Sequence, residues 1–283
     1  MSERWFKPPL GILRLLHPRY FKMAWRFMRL VRKGAVTCLP IGIWAARDMM
    51  RLDCLLSGNL RGLWGVSELA FETSPMGKIA ACPWMRLWGY FVEPSSRQNV
   101  TRPASDRPQG RALRVLWVGR MLALKRVDTL FKASGAALEK IPLELTIAGD
   151  GPEQSRLEAM ARELSARHPG AVRLERSVPI AHVRELMAQN DVYVLTSNAY
   201  EGWGAVVSEA LEEGMEVFGT YEAGSSATIL PKENLHRSGD WKTLARQLTR
   251  FAQTDERRCR GIGAWAAASA ADALLRECQS SLK

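Results

Sequence analysis

The sequence predicts an α/β protein: one complete Rossmann-like domain with a parallel sheet, preceded by a partial N-terminal α/β domain. Three observations predict it. After Gly110, short apolar runs rich in β-branched residues alternate with helix-periodic stretches, the mark of βαβ units. Glycine-bearing turns follow several of the apolar runs, where the chain must turn toward a helix. A stretch rich in Pro, Ser and Gly, Glu93–Gly110, separates this part from a front segment of irregular pattern and reads as a linker. The expected domains are 1–100 and 111–283.

The elements follow in order. In the front segment Ala35–Ile43 reads as a buried strand and Ala45–Leu52 as a helix, while Leu55–Met85 reads mostly as loop because Gly58, Gly62, Gly65, Pro75, Gly77 and Pro83 break it. Past the linker, strands are expected at Leu113–Val118, Leu143–Ala148, Val172–Leu174, Val192–Thr196 and Glu216–Gly219. Helices are expected at Lys125–Glu139, Pro152–Ala166, Ile180–Ala188 and Gly204–Glu213, with further helices closing the C-terminal end. Right-handed crossovers then gather the loops after the strand C-termini along one sheet edge, where ligands bind.

Composition excludes several classes. The five cysteines (Cys38, Cys54, Cys82, Cys259, Cys278) are odd in number and form no CxxC pair, which argues against a disulfide framework or a zinc site. No apolar run approaches a membrane span and no signal-peptide pattern opens the chain, so a cytoplasmic protein, peripheral at most, is expected. The net charge of +11 concentrates at the front: Met1–Lys33 holds nine Lys or Arg and one acid, Glu3. On a helix over Tyr20–Lys33, Lys22, Arg26, Arg29 and Lys33 share one face, and Tyr20, Ala24, Phe27, Met28 and Val31 fall on the other. Two readings stand: an interfacial helix on an anionic membrane surface, or a core helix with a solvated basic face. No recognition motif accompanies the charge, so no nucleic-acid partner is expected.

Three loops carry candidate chemistry. Gly119-Arg120 through Lys125 sets two cations at a helix start, which suits a diphosphate; a surface loop with two solvated cations is the plain alternative. Gly149-Asp150-Gly151-Pro152 is a turn whose Asp150 caps the next helix or touches a ligand. Glu201-Gly202-Trp203-Gly204 follows a strand, and Glu209 comes eight residues after Glu201, about a turn and a half into the expected helix. Carboxylates accept hydrogen bonds from hydroxyls, so one can reach a sugar and the other a ribose. Gly202 and Gly204 let backbone N–H groups approach a ligand.

The series VGR-x4-K (Val118–Lys125), IAGDGP (Ile147–Pro152) and EGWGAVVSEALEEG (Glu201–Gly214) resembles the C-terminal domain of the family-4 retaining glycosyltransferases of GT-B fold, over about Arg111 to Leu275. The resemblance implies that Arg120 and Lys125 grip the donor diphosphate, that Glu201 contacts the donor sugar and Glu209 the ribose, and that Gly224-Ser225 lies near the phosphates. It makes Glu201, Arg120 and Lys125 the catalytic set. The wider donor site then adds Gly119, Gly149, Asp150, Gly151, Gly202, Trp203, Gly204, Glu209, Gly224 and Ser225. It further implies a metal-independent enzyme without cofactor, and the chain has no Asp-x-Asp motif. Glu216 stands where the family usually has a proline, and Arg176 where it often has a glycine. The front segment is shorter than the acceptor domain of such enzymes; Ala35–Leu52 and Met85–Pro94 fit the later half of one.

The expected function is transfer of a hexose from a nucleotide diphosphate sugar, UDP- or GDP-linked, to an acceptor hydroxyl. The acceptor would be a glycan or lipid-linked glycan in cell-surface polysaccharide or glycolipid synthesis. The alternative is a non-catalytic nucleotide-sugar-binding remnant, or a subunit that needs a partner for its missing half.

Overall fold

A computed structural model of the chain describes residues 6, 11–34, 36–90, 110–176, 178–259 and 272. All of the expected linker but Gly110 lies outside the described residues, as do Cys278, part of the basic N-terminal segment and all but Asp272 of the chain beyond Cys259. The chain divides into two compact units, Met1–Tyr90 and Phe91–Lys283.

The first unit is helical: α1 (Pro18–Arg32), α2 (Gly42–Ser57), α3 (Leu60–Gly65), α4 (Glu68–Thr73) and α5 (Pro75–Ala80). A 3-10 stretch, Gly11–Leu16, leads into α1, where the His17 ring accepts the Arg19 N–H and Pro18 fits the first turn. Of the two readings of this stripe, the core helix with a solvated basic face fits most of it: Ala24, Met28 and Val31 are buried and Phe27 is half-buried. The cause is α2, whose residues Gly42–Met49 and Leu52 are buried and offer α1 a core to pack on.

Two sequence expectations fail here. The strand expected at Ala35–Ile43 is reduced to two isolated parallel bridges, Cys38 with Met85 and Ile41 with Trp88. Pro40 between them has no N–H to extend a ladder, and the helix α2 begins at Gly42. The loop expected over Leu55–Met85 is largely α3, α4 and α5. The residues read as breakers act as punctuation: Gly58 ends α2 in the left-handed region, and Pro75 opens α5. Among the described residues no helix is long and apolar enough to cross a membrane.

The second unit holds a six-stranded parallel sheet of β1 (Leu113–Val118), β2 (Leu143–Ala148), β3 (Val172–Glu175), β4 (Val192–Leu195), β5 (Glu216–Thr220) and β6 (Leu235–His236), in the order β3-β2-β1-β4-β5-β6. Its helices are α6 (Val127–Leu138), α7 (Gln154–Arg167), α8 (Ile180–Gln189), α9 (Val206–Glu212), α10 (Gly224–Ile229) and α11 (Trp241–Thr254). Alternate residues of a strand point to opposite faces. Leu113, Val115 and Trp117 therefore join a core with α6, α7 and α11, while Leu116 joins a second core with α8 and α9. The order reverses between β1 and β4, and the crevice at that switch point is where such a sheet takes a ligand.

Glu216, the residue in the family's proline position, has a structural use. It is fully buried and accepts the Asn234 side-chain amide at 2.5 Å and the backbone N–H groups of Arg258 and Cys259 at 3.1 and 3.3 Å. It thus ties the segment after α11 to the start of β5. Burial, reinforced by the Glu216 charge, pushes the Cys259 thiol up to about 12, so it stays protonated and inert.

Candidate active site

Four strand ends build the crevice. After β1 the chain makes a 3-10 turn, Ala123–Lys125, and Arg126 adopts a left-handed conformation (φ 47°) before α6 begins at Val127. Lys125 therefore lies ahead of the helix rather than within it, contrary to the expected Lys125–Glu139 helix. Arg120 is exposed and Lys125 half-buried.

The turn after β2 is held by backbone alone. A side chain on Gly149 would put its Cβ 2.0 Å from the Gly119 carbonyl oxygen, and one on Gly151 would lie 2.6 Å from that of Met121. The Met121 N–H donates to the Asp150 carbonyl at 2.6 Å and the Glu153 N–H to the Met121 carbonyl at 3.0 Å. These glycines are thus required by the crossing of two loops. Asp150 does not cap α7: the helix starts at Gln154, without a side-chain cap, so Pro152 sits ahead of it.

After β4 the loop is knitted to its neighbours. Thr196 donates from its hydroxyl to the Lys125 carbonyl at 2.7 Å, Asn198 N–H to the Leu124 carbonyl at 2.9 Å, and Thr220 from β5 to the Ser197 carbonyl at 2.7 Å. Lys125 Nζ lies 2.5 Å from Glu201 Oε2, and the Ser197 hydroxyl donates to the same oxygen at 2.7 Å. The expected phosphate cation and the expected sugar carboxylate are thus an ion pair, their side chains 19% and 12% exposed.

Glu209 lies in the first turn of α9, because that helix starts at Val206, not Gly204. Burial raises the Glu209 pKa above the ordinary carboxylate value, against a lesser opposite pull from the Arg184 charge. Tyr193 is fully buried in β4. Its hydroxyl donates to the Val118 carbonyl at 3.3 Å; burial and then the charges of Glu201 and Glu209 push the phenol far above its usual value.

The loop Glu201–Gly204 is fastened from below by α10. The Gly224 N–H donates to the Gly202 carbonyl at 2.9 Å, the Ser225 N–H to the Trp203 carbonyl at 2.8 Å, and the Ser225 hydroxyl to the Gly204 carbonyl at 3.0 Å. Trp203 is 1% exposed, so its indole packs inside. Trp203, Gly224 and Ser225 hold the loop in place, and the amides of Gly224 and Ser225 are already engaged. Lys125 and Glu201 meet in the crevice, Arg120 stands just past the end of β1, and Glu209 stands in the first turn of α9, which follows β4. Sequence reasoning missed Ser197, Thr196, Tyr193 and Thr220; the small polar run after β4 was a signal for Thr196 and Ser197, whereas Tyr193 and Thr220 lie within β4 and β5 and gave none. Among the described residues no three of His, Cys, Asp and Glu gather closely enough to hold a metal ion.

The family model described as "Glycosyl transferases group 1" matches residues 101–262. The chain belongs to the glycosyl transferases group 1 family. It is 29% identical over 130 residues to an uncharacterized glycosyltransferase of Methanocaldococcus jannaschii, covering 46% of this chain and 33% of that protein. It is 32% identical over 121 residues to a glycogen synthase of Thioalkalivibrio sulfidiphilus, covering 42% and 24%. The matched part spans a third or less of these curated relatives. Among solved structures, the lipopolysaccharide outer core galactosyltransferase WaaB in its apo form is 16% identical, with a TM-score of 0.56 over 90% of this chain and 78% of that one. The parallel sheet and that likeness establish the α/β, GT-B type of fold that the motifs led one to expect.

Proposed function

We propose that this group 1 glycosyltransferase is a retaining, metal-independent enzyme that moves a hexose from a UDP- or GDP-linked donor to an acceptor hydroxyl. The observation that carries the reading is the Lys125–Glu201 ion pair at the β1/β4 switch point, with Arg120 just past the end of β1 and Glu209 in the first turn of α9 after β4. Departure of the diphosphate is where charge builds up, so Arg120 and Lys125 would stabilise it as it develops. Glu201 would accept from sugar hydroxyls and Glu209 from the ribose. Burial holds Glu209 toward its neutral form, and ribose hydroxyls donating to it would favour the charged one. The acceptor would attack on the face the diphosphate leaves; no side chain here is assigned as a nucleophile.

The experiment uses Glu209→Gln. It should weaken binding of the bare nucleoside diphosphate and of its sugar conjugate by the same factor, about tenfold, the scale of one charged hydrogen bond. Unchanged affinity for both would remove Glu209 from the site.

The acceptor would be a glycan or lipid-linked glycan of the cell surface, reached at an anionic membrane. What supports this is the outer side of the first unit. Leu13, Leu16, Tyr20, Phe21, Met23, Trp25 and Leu30 are 44–80% exposed and alternate with exposed Arg19, Lys22, Arg26, Arg29, Arg32 and Lys33. Apolar side chains ringed by cations match an anionic bilayer interface in both chemistry and charge. Co-sedimentation should therefore be stronger with anionic than with neutral vesicles, weaken in salt, and fall in a Phe21→Ser/Trp25→Ser variant. Equal recovery with both vesicle types would contradict it.

A further inference from the structure

The Lys125–Glu201 pair raises a conflict that the site itself resolves. Both groups are expected to hold the donor, yet each is the other's partner at 2.5 Å in a half-buried place where ion pairs are poorly screened. Ser197 shares the same carboxylate oxygen, Oε2, at 2.7 Å. The backbones behind the three groups are hydrogen-bonded. Thr196 bonds the Lys125 carbonyl, Asn198 N–H that of Leu124, Thr220 that of Ser197, and the Glu201 N–H donates to the Asn198 carbonyl at 2.9 Å. Movement therefore falls to the Lys125 side chain, the long flexible member of the trio, and not to the loops.

We propose that this ion pair is a latch that couples recognition of the two ends of the donor, with Ser197 as the positioning residue. A diphosphate entering the crevice takes the Lys125 ammonium from Glu201. Ser197 keeps the released carboxylate at the mouth of the loop, so that it turns to sugar hydroxyls rather than out to water. The proposal rests on the donor reading above. It goes beyond that reading in making the two contacts interdependent. A bare nucleoside diphosphate must break the pair and leaves Glu201 uncompensated, whereas an intact donor offers hydroxyls in exchange. The latch therefore weakens product and spares substrate, which would help the spent nucleotide leave. Removal of the carboxylate charge should have opposite effects on the two ligands.

The test is calorimetric titration of UDP and GDP, and of their hexose conjugates, into the parent chain and two variants. Glu201→Gln keeps the shape and removes the charge. It should bind the preferred nucleoside diphosphate three- to tenfold more tightly and the sugar conjugate more weakly. Ser197→Ala leaves the ion pair in place; it should hold the bare nucleotide within twofold of the parent and lose three- to tenfold on the conjugate, with Ser197→Thr restoring it. A merely structural Ser197 would shift both ligands together, and melting curves of the variants identify that case. Unchanged or weaker nucleotide binding by Glu201→Gln overturns the latch alone, provided Arg120→Ala still weakens it. Failure of the parent to bind any of these ligands overturns the donor reading and the latch with it.

Discussion

Gly149→Ala should destabilise the second unit by about 3 kcal/mol or more, at the upper end for a single substitution. Two penalties act together. Gly149 has φ 133°, a conformation closed to L side chains, and an added methyl would sit 2.0 Å from the Gly119 carbonyl oxygen. That oxygen belongs to the backbone of the β1 loop, which cannot rotate aside as a side chain would. Relief requires the β1 and β2 loops to part, which disturbs the Met121–Asp150 hydrogen bond and the placing of Arg120. Gly170→Ala is the control. Gly170 also has positive φ, 79°, but an added Cβ there meets nothing within 4 Å, so only a conformational penalty of about 1 kcal/mol is expected. Denaturant unfolding of both variants checks this; equal losses would show that the crossing is not tight.

The central strands β4 and β5 were legible because they are buried on both faces. Val192–Leu195 is buried at every position, and such a strand reads as an unbroken apolar run. The front unit was not legible in the same way. Its short helices α3 to α5 have six residues each, too few for periodicity to show, and their capping Gly and Pro look like loop residues. β6, with two residues, left no signal at all. On α1 the periodicity was legible but left two readings open, because a stripe of small and apolar residues does not say whether protein or lipid covers it; the burial of Ala24, Met28 and Val31 fits the core helix with a solvated basic face.

At the site, the motifs located the loops but not the connections among them. Lys125 was expected to open the helix after the Arg120 loop; it lies instead in a 3-10 turn ended by a left-handed Arg126, and it pairs with Glu201, 76 residues away. Glu216 looked like a simple departure from the family, and only its partners Asn234, Arg258 and Cys259, brought in from the far end of the domain, explain it. Contacts of that range leave no local trace in a single sequence.

A β1/β4 crevice that grips the diphosphate of a nucleotide sugar must lose affinity when its cations are removed. Arg120 is the most direct probe, since it is exposed at the end of β1 while Lys125 is engaged with Glu201. A guanidinium holding a diphosphate makes charged hydrogen bonds, each contributing about 1.5–3 kcal/mol. Arg120→Ala should therefore weaken UDP or GDP, whichever the parent prefers, by roughly 10- to 150-fold. Arg176 is the comparison: it follows β3, the edge strand two places from β1, and pairs with Glu158. Calorimetric titration of the parent, Arg120→Ala and Arg176→Ala decides the matter. Arg120→Ala should show a large loss and Arg176→Ala a near-parental affinity; parental affinity in Arg120→Ala would remove the diphosphate grip from this crevice.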